Sequence, residues 1–333
     1  MPHAITIEKF GPASTLTLRE QPAPPPGPGE IAIDVTYSGV NFADIQMRLG
    51  FYPDAPKRPF VPGYEVSGTV AEVGSGVTGF KRGDQVVAGT YFGGYASRVT
   101  IPARQVFQLP KNADLAAGAA LPVNYFTAQL ALHEMARVRA GDKVLVECAT
   151  GGVGVLAIQM AKKAGAEVVG LTTSPHKKGF IEELGARAYT RDEFAADPSI
   201  AGFDVIINAS GGAEVQPQRK RLAITGRIVC LGISSGVKDG KRNFARIALA
   251  ALRMPRISLL KLFDDNTGVY ALNALHVLRD PVWIERLTAS LATVDQLDLK
   301  PHVGKVFPAT DAAAAHAFLE TKQATGKVLL AWN

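Results

Sequence analysis

Hydrophobic and polar residues alternate in short runs along the first third of the chain. The runs AITIEKF (residues 4–10), TLTLREQ (15–21) and EIAIDVTYSGV (30–40) place apolar side chains at every second position. That period is typical of strands with one buried face, and turn residues separate the runs, including the proline-rich segment PAPPPGPGE. Many short strands at this spacing predict a partly closed barrel or a sandwich.

The pattern changes near Leu121, where helix-like and strand-like runs begin to alternate. The runs are VNYFTAQLALHEMA, KVLVECA, GVGVLAIQMAKKAG and AEVVGLT, and further strands follow. Repeated strand–helix units predict a parallel sheet covered by helices on both faces. Near the C-terminus the strand-like runs KPHVGKVFP and KVLLAWN flank an alanine-rich helix predicted from Asp311 to Thr321. We expect both strands to rejoin the first sheet.

These patterns predict an α/β protein with two domains, and 333 residues are enough to fill two cores. The β-rich domain is expected to comprise residues 1–122 and 266–333. The doubly wound parallel sheet is expected to comprise residues 123–265.

Composition narrows the class of protein. Apolar residues make up 47% of the chain and charged residues 20%, which are ordinary globular values. No export signal or long apolar span is visible, and Cys148 and Cys230 are too few for a disulfide framework. We interpret both cysteines as small core residues and expect a cytoplasmic protein.

The net charge of +6 raises the question of an acidic partner. Its strongest clusters are RKRLAITGR (219–227) and KDGKRNFARIALAALRMPR (238–256). Neither has the aromatic interleaving of single-strand binders, so a solvated basic face is favoured over a nucleic-acid site. An anionic cofactor would explain part of the charge equally well.

A glycine-rich break separates the strand KVLVECA from the helix that follows it. Gly151, Gly152, Val153 and Gly154 fill this break. Residues without side chains let a pyrophosphate approach the backbone, and a helix N-terminus offers it free N–H groups. This context favours a dinucleotide site over a turn that merely packs tightly.

The end of the next strand indicates which dinucleotide. An NAD site usually places an acidic residue there, to bind the ribose hydroxyls. This chain has Thr172, Thr173 and Ser174, followed by Lys177 and Lys178. Hydroxyls and lysines suit a 2′-phosphate, although the lysines could also be solvated at a helix start. The sequence therefore predicts NADP(H).

The sequence argues against two other kinds of chemistry, a metal site in the first domain and a serine hydrolase. His3 is the only histidine before residue 130, and that part of the chain has no cysteine, so a metal site is not expected there. No G-x-S-x-G motif occurs, which argues against a serine hydrolase. Hydride transfer by a cofactor remains as the predicted chemistry.

Several longer motifs carry a family resemblance that runs nearly end to end. They are GVNFADIQMRLGFYP, PFVPGYEVSGTVAEVGSGVTGFKRGDQV, GGYA, AALPVNYFTAQLAL, ATGGVG and GKVLL. With them the chain resembles the zinc-free quinone oxidoreductases, the zeta-crystallin-like members of the medium-chain dehydrogenase/reductase superfamily. It looks closest to the branch that contains the synaptic-vesicle membrane protein homologues. The resemblance implies a GroES-like β-rich catalytic domain beside a Rossmann-type cofactor domain.

The resemblance also implies roles for individual residues. Asn41 and Tyr52 would line the nicotinamide and substrate pocket, although Asn41 could be a simple turn residue and Tyr52 a surface aromatic. Tyr64 stands where metal-dependent relatives have a zinc-binding histidine, and it is interpreted as a packed tyrosine. The remaining cofactor contacts implied by the family are Thr127, Gly152, Val153, Gly154, Ser174, Lys177, Asn208, Leu231, Gly232 and Ile233.

Departures from the family pattern affect both pockets. Gln46 stands where relatives often have a tyrosine, so a pocket hydroxyl is lost. The tyrosine usual near the 2′-phosphate has no clear match, and Arg191 is a candidate for its place.

The expected function is NADPH-dependent, metal-independent reduction of a quinone or an α,β-unsaturated carbonyl. The alternative is an NADPH-binding regulatory protein that contacts RNA or an anionic membrane. A zinc alcohol dehydrogenase is disfavoured. Members of the family usually pair through an edge strand of the cofactor domain, so a homodimer is expected, with RISLLKLF (256–263) as the candidate strand.

Overall fold

The computed structural model describes residues 1–232, 249, 252 and 255–332, which divide into two compact units. Among these residues, the first unit holds 1–123 and 278–332, and the second holds 124–232 and 255–277 together with 249 and 252.

The first unit begins with most of its strands. Up to residue 120 the elements are β1 His3–Ile7, a 3₁₀ turn Ala13–Thr15, β2 Leu16–Glu20, β3 Glu30–Val40, α1 Phe42–Leu49, β4 Glu65–Val73, β5 Gln85–Gly89, β6 Arg98–Pro102, a 3₁₀ turn Ala103–Gln105, β7 Val106–Gln108 and α2 Leu115–Ala119.

The second unit follows, entered through α3. Its elements are α3 Pro122–Gln129, a π-helix Leu130–Met135, β8 Lys143–Val146, α4 Gly152–Lys163, β9 Glu167–Thr172, a 3₁₀ turn Pro175–Lys177, α5 Lys178–Glu183, β10 Arg187–Thr190, α6 Arg191–Ala196, β11 Phe203–Asn208, a 3₁₀ turn Gly212–Glu214, α7 Val215–Arg219, β12 Leu222–Cys230, α8 Leu259–Asp265, β13 Gly268–Ala271 and α9 Ala274–Val277.

The chain then returns to the first unit. The closing elements are α10 Pro281–Ser290, α11 Ala292–Gln296, β14 Val303–Pro308, a 3₁₀ turn Ala309–Asp311, α12 Ala312–Glu320 and β15 Lys327–Ala331. Strands β14 and β15 join the first unit's sheet, as the sequence predicted. The predicted helix between them is also confirmed.

A seven-stranded sheet forms the core of the first unit. Its order is β14-β15-β3-β4-β5-β7, with β6 also paired to β3, while β1 and β2 form a separate hairpin. Strand β3 buries Ile31, Ile33 and Val35, two residues apart, against Val66 and Val70 of β4. Ala32, between Ile31 and Ile33, is also fully buried, so β3 departs from the strict period-2 burial that the alternating pattern predicted.

A six-stranded parallel sheet forms the core of the second unit. The three consecutive residues Val144, Leu145 and Val146 of β8 are all fully buried, because helices cover both faces of the sheet. The strand order is β10-β9-β8-β11-β12-β13, which is the doubly wound order of a Rossmann-type fold. The predicted fold class, a GroES-like β-rich domain with a Rossmann-type domain, is therefore confirmed.

The winding direction reverses between β8 and β11. In open parallel sheets, ligands bind outside the carboxyl ends of the strands at this reversal point. A cofactor site is therefore expected at the segments that follow β8 and β11.

Two expectations differ from the structure. RISLLKLF does not form an edge strand, because residues 259–265 form helix α8, which ends at Asn266 in the left-handed conformation. Among the described strands of this sheet, β10 and β13 are the two edges, and β13 is the one that follows helix α8. Its pairing with β12 also carries the second unit to residue 277, beyond the sequence-based boundary at 265.

Candidate functional site

The glycine turn, residues 149–154, connects β8 to α4 at the reversal point of the sheet. Gly151 caps the helix with extended backbone angles, and Gly152, Val153 and Gly154 form its first turn. That turn contains no acidic residue, while the last turn carries Lys162 and Lys163. The helix N-terminus is therefore suited to an anionic group such as a diphosphate.

Close approach of neighbouring atoms explains two of the glycines. A Cβ at Gly152 would lie 2.5 Å from Nδ2 of Asn124, and one at Gly154 would lie 2.8 Å from Cα of Ala149. Asn124 is buried at the start of the second unit and packs against the turn. Sequence reasoning missed Asn124, because only the fold brings α3 beside the turn.

The residues predicted to bind the 2′-phosphate follow the end of β9, and they differ in their exposure to solvent. Thr173 is exposed, Ser174 is partly exposed, and Lys177 is only 6% exposed. Burial lowers the pKa of Lys177. Lys178 is partly exposed and pairs with Glu193, at 3.0 Å between Nζ and Oε1. The interpretation of both lysines as simply solvated therefore fails for Lys177.

Arg191 crosses the carboxyl edge of the sheet. Its Nη2 lies 2.9 Å from Oε1 of the buried Glu147 and donates to Oγ of Ser210 at 2.6 Å. The other carboxylate oxygen of Glu147 accepts from the backbone N–H groups of Ala209 and Ser210, both at 2.9 Å. The guanidinium is thus held at the reversal point, where sequence reasoning had considered it only as a substitute for a tyrosine.

The interpretation of Cys148 as a core residue is wrong. Cys148 lies after β8 rather than within it, has a positive φ of 54°, and is exposed. Its Sγ lies 3.5 Å from Nη2 of Arg191. The sharp turn that leads into the glycines forces this residue out of the sheet. Cys230 ends β12 and is half-buried.

Asn208 ends β11 on the other side of the reversal point. Its Nδ2 donates to Oε1 of Gln218 at 2.8 Å, and its Oδ1 accepts from the N–H of Gly211 at 2.7 Å. The side chain is fully buried, so these bonds shape the loop after β11. A ribose contact by Asn208 remains a prediction.

The other predicted cofactor residues lie in the second unit. Thr127 is partly exposed on α3, Leu231 is half-buried just after β12, and Gly232 is exposed. Ile233 lies outside the described residues. Their predicted contacts with the nicotinamide stay predictions.

In the first unit, Asn41 caps helix α1. It forms a capping box with Asp44, whose Oδ2 accepts the N–H of Asn41 at 2.7 Å. The Asn41 amide also bonds to Glu65 and Lys327, at 3.1 Å from Nδ2 to Oε1 and at 2.6 Å from Nζ to Oδ1. Asn41 is therefore part of a buried polar network rather than an isolated turn residue.

Asp44 is a second centre of hydrogen bonds in this unit. Besides Asn41, it accepts from the N–H of Gly63 at 3.2 Å and from Oη of Tyr95 at 3.1 Å. Burial raises its pKa to about 7. Tyr95 Oη also lies 3.0 Å from Nε2 of His316, whose pKa burial lowers to about 3.

Tyr52 and Tyr64 form an aromatic pair, with ring centroids 6.4 Å apart and a hydrogen bond between them. Burial raises the pKa of both phenols, so both stay protonated and can donate near neutral pH. Tyr64 is buried against Phe92 and Met47, in line with the interpretation of a packed tyrosine, whereas Tyr52 is partly exposed.

The arginines of the basic cluster at 219–227 form ion pairs and hydrogen bonds within the second unit. Arg219 pairs with Asp265 at 2.8 Å, Arg221 donates to the carbonyl of Asp197 at 2.7 Å, and Arg227 pairs with Asp142 at 3.2 Å. The expected solvated basic face is therefore wrong for these three residues. Most of the cluster at 238–256 lies outside the described residues.

In the described ranges of the chain, no three His, Cys, Asp or Glu side chains converge to hold a metal ion. Within the same ranges, no helix has the length and hydrophobicity needed to cross a membrane.

Sequence comparison relates the chain to known dehydrogenases. The alcohol dehydrogenase GroES-like domain family matches residues 27–111, and the zinc-binding dehydrogenase family matches residues 179–330. The synaptic vesicle membrane protein VAT-1 homolog of Rattus norvegicus is 31% identical over 335 residues, covering 98% of this chain and 83% of the relative. The quinone oxidoreductase of Sus scrofa is 31% identical over 337 residues, covering 98% and 97%.

Structural comparison agrees with the sequence relatives. A mycobacterial protein whose structure was solved in complex with NADPH superimposes with a TM-score of 0.86 at 28% identity. The match covers 100% of each chain.

Proposed function

Because the chain belongs to the quinone oxidoreductase branch of the medium-chain dehydrogenase/reductase superfamily, we propose that it is an NADPH-dependent oxidoreductase that needs no metal ion. The proposed acceptor is a quinone or an α,β-unsaturated carbonyl. The observation that supports the proposal most is the composition of the carboxyl edge of the six-stranded sheet. There the glycine turn stands beside a strand end with hydroxyls and lysines and no acidic residue between 172 and 178.

The proposed cofactor site uses two sets of groups. The first turn of α4 would hold the diphosphate through its backbone N–H groups. Ser174 and Lys177 would bind the 2′-phosphate, since a hydroxyl and an ammonium both donate to phosphate oxygens. Thr127, Asn208 and the Leu231–Gly232 strand end are proposed to line the rest of the cofactor.

Replacing Lys177 with methionine tests the phosphate assignment. Methionine keeps the buried length of the side chain without placing a carboxylate in the interior. We expect the Kd for NADPH to rise about tenfold, or about 1.4 kcal/mol, while the Kd for NADH changes less than about twofold. Nicotinamide fluorescence titrations with both cofactors measure this ratio.

Lys178→Met is the matched control for this experiment. Lys178 is the next residue but is paired with Glu193, so its loss should leave both affinities nearly unchanged. Equal losses of NADPH and NADH affinity in the Lys177 variant would remove Lys177 from phosphate recognition.

NADPH, when bound, supplies a hydride, and the protein's part is to place the acceptor and stabilise the charge that develops on its oxygen. Tyr52 and Asn41 are the proposed donors to that oxygen. The phenol of Tyr52 stays protonated because burial raises its pKa. Water is the proposed source of the proton that completes reduction of a carbon.

An NADPH-oxidation screen of quinones against enones and enals tests the activity. Turnover with either class supports a reductase and identifies the acceptor. If neither class is reduced while NADPH still binds, the alternative of a cofactor-binding regulatory protein would replace the proposed activity.

We also propose a homodimer formed by the second unit. Helix α8 exposes Leu259, Leu260 and Phe263, each more than 80% accessible, and the sheet edge at β13 lies next to it in the chain. An exposed apolar surface beside an open strand edge is usually covered by a partner.

The double change Leu260→Asp/Phe263→Asp should convert the protein to a monomer because it places charges on this surface. Light scattering coupled to size-exclusion chromatography measures the mass. Val282→Asp, at an exposed apolar position of the first unit, should leave the mass unchanged. A dimer that survives the double change would place the interface elsewhere.

A further inference from the structure

Three side chains of the first unit form what we call the Asn41 clamp: Asn41, Glu65 and Lys327. The register of the sheet brings them together. Val40 of β3 lies opposite Val328 of β15, so Asn41 and Lys327 come at the same end of that strand pair. Ser38 lies opposite Val66 of β4, which places Glu65 beside the backbone of Gly39.

Glu65 and Lys327 form an ion pair that is almost completely removed from water. The remaining oxygen of Glu65 accepts from the N–H of Val123 at 2.7 Å. Buried ion pairs give little net stability compared with apolar residues of the same size, because both charges lose their hydration. The pair therefore points to a role other than stability, exerted through the groups that it contacts.

The pair fixes which way the Asn41 amide faces. An ammonium only donates and a carboxylate only accepts, so Lys327 must bind Oδ1 and Glu65 must bind Nδ2. One N–H of Nδ2 is used by Glu65. Among the described residues, the second N–H of Nδ2 has no hydrogen-bond acceptor, and Asn41 is partly exposed. Toward a ligand, Asn41 can then act through Nδ2 only as a donor.

We propose that Glu65 and Lys327 are positioning residues that hold Asn41 as a one-way hydrogen-bond donor to the carbonyl oxygen of the acceptor. This proposal rests on the proposed reductase function. A donor of fixed orientation stabilises an oxygen that gains negative charge during hydride transfer, and a flipped amide would present an acceptor that repels it. The ligand class follows from this geometry: an oxygen that becomes more negative, such as that of a quinone or enone.

The test removes both charges together, so that no charge is left buried alone. The variant is Glu65→Gln/Lys327→Met, examined with and without Asn41→Ala. In a chain that keeps Asn41, the double change should lower kcat roughly 30-fold, because the donor is lost from the transition state. It should leave the KM for NADPH within about threefold of the wild-type value. In the Asn41→Ala background the same double change should lower kcat less than about twofold, since its effect passes through Asn41.

A second buried ion pair of the same unit provides the control. Arg48 and Glu320 are also paired, and the Arg48 side chain is fully buried. The matched variant Arg48→Met/Glu320→Gln should change the melting temperature but leave kcat within about twofold. If both double variants lower kcat to the same extent, or if the Asn41 and clamp effects simply multiply, the positioning role is refuted.

A measurement without turnover keeps the two proposals apart. In protein labelled with ¹⁵N at asparagine, the two Nδ2–H signals of Asn41 should be well separated, with one protected from solvent exchange by the Glu65 carboxylate. In the Glu65→Gln/Lys327→Met variant they should move together and exchange faster. Coincident, unprotected signals in the wild-type protein would refute the clamp. Absent NADPH binding would instead refute the proposed function, while the fixed orientation of the Asn41 amide would still be observed.

Discussion

Gly154→Ala will lower the affinity for NADPH about 100-fold, or about 2.8 kcal/mol. The new methyl group would sit 2.8 Å from Cα of Ala149 and would also press on the carbonyl oxygen of Cys148. Both neighbours are backbone atoms, one in the glycine turn and one directly before it, so the turn itself must move. Its N–H groups would then no longer converge on the diphosphate. Calorimetric titration with NADPH measures the loss.

Gly179→Ala is the control for this prediction. Gly179 lies in helix α5, and no atom of the described residues comes within 4 Å of the position of its Cβ. Alanine there should leave NADPH binding unchanged and stabilise the helix slightly. Unchanged NADPH affinity in the Gly154 variant would show that the glycine turn is not the diphosphate site.

His316→Gln will reduce the sensitivity of the first unit to acid. The folded-state pKa of His316, about 3, lies below the ordinary value of 6.5, because burial and the charge of Arg48 disfavour the imidazolium. Between these pH values the unfolded chain binds a proton that the folded protein excludes. The stabilising effect of the neutral ring is thus present above pH 6.5 and is lost as the pH falls.

The expected size follows from 1.36 kcal/mol for each pH unit. Between pH 6.5 and 4.5 the wild-type protein should lose about 2 kcal/mol relative to the variant, because the unfolded chain is already half protonated at pH 6.5. Asp44 acts in the opposite direction in this range, since its folded-state pKa is raised to about 7, but it is present in both proteins. Urea unfolding at several pH values measures the difference.

His176→Gln is a suitable control, because His176 is exposed on the second unit. The unfolding free energy of the His176→Gln variant should change with pH as that of the wild-type protein does. Parallel curves for the wild type and His316→Gln would mean that His316 accepts a proton in the folded state.

Local patterns predicted the parts of the fold that local chemistry determines. The alternation in residues 30–40 identified β3, and the glycine break before Val155 identified the start of α4. The return of the C-terminal strands to the first sheet was also predicted, and β15 pairs with β3 there. Periodicity failed at RISLLKLF, where a short apolar run suits either a strand or a helix.

The missed residues depend on contacts between distant parts of the chain. Asn124 reaches the glycine turn across the second unit, and Glu147 pairs with a residue 44 positions later, after β10. Glu65 and Lys327 meet only through the register of β3 with both of its neighbours. Each of these residues looks like an ordinary polar position in the sequence, and no local spacing marks it.

The proposed function depends most on a preference for the phosphorylated dinucleotide at the carboxyl edge of the second unit's sheet. Isothermal titration of the purified wild-type protein with NADPH and with NADH, at the same ionic strength, tests it directly. We expect NADPH to bind with one site per chain and at least about tenfold more tightly than NADH. No detectable binding of NADPH, or equal affinity for both dinucleotides, would contradict the account.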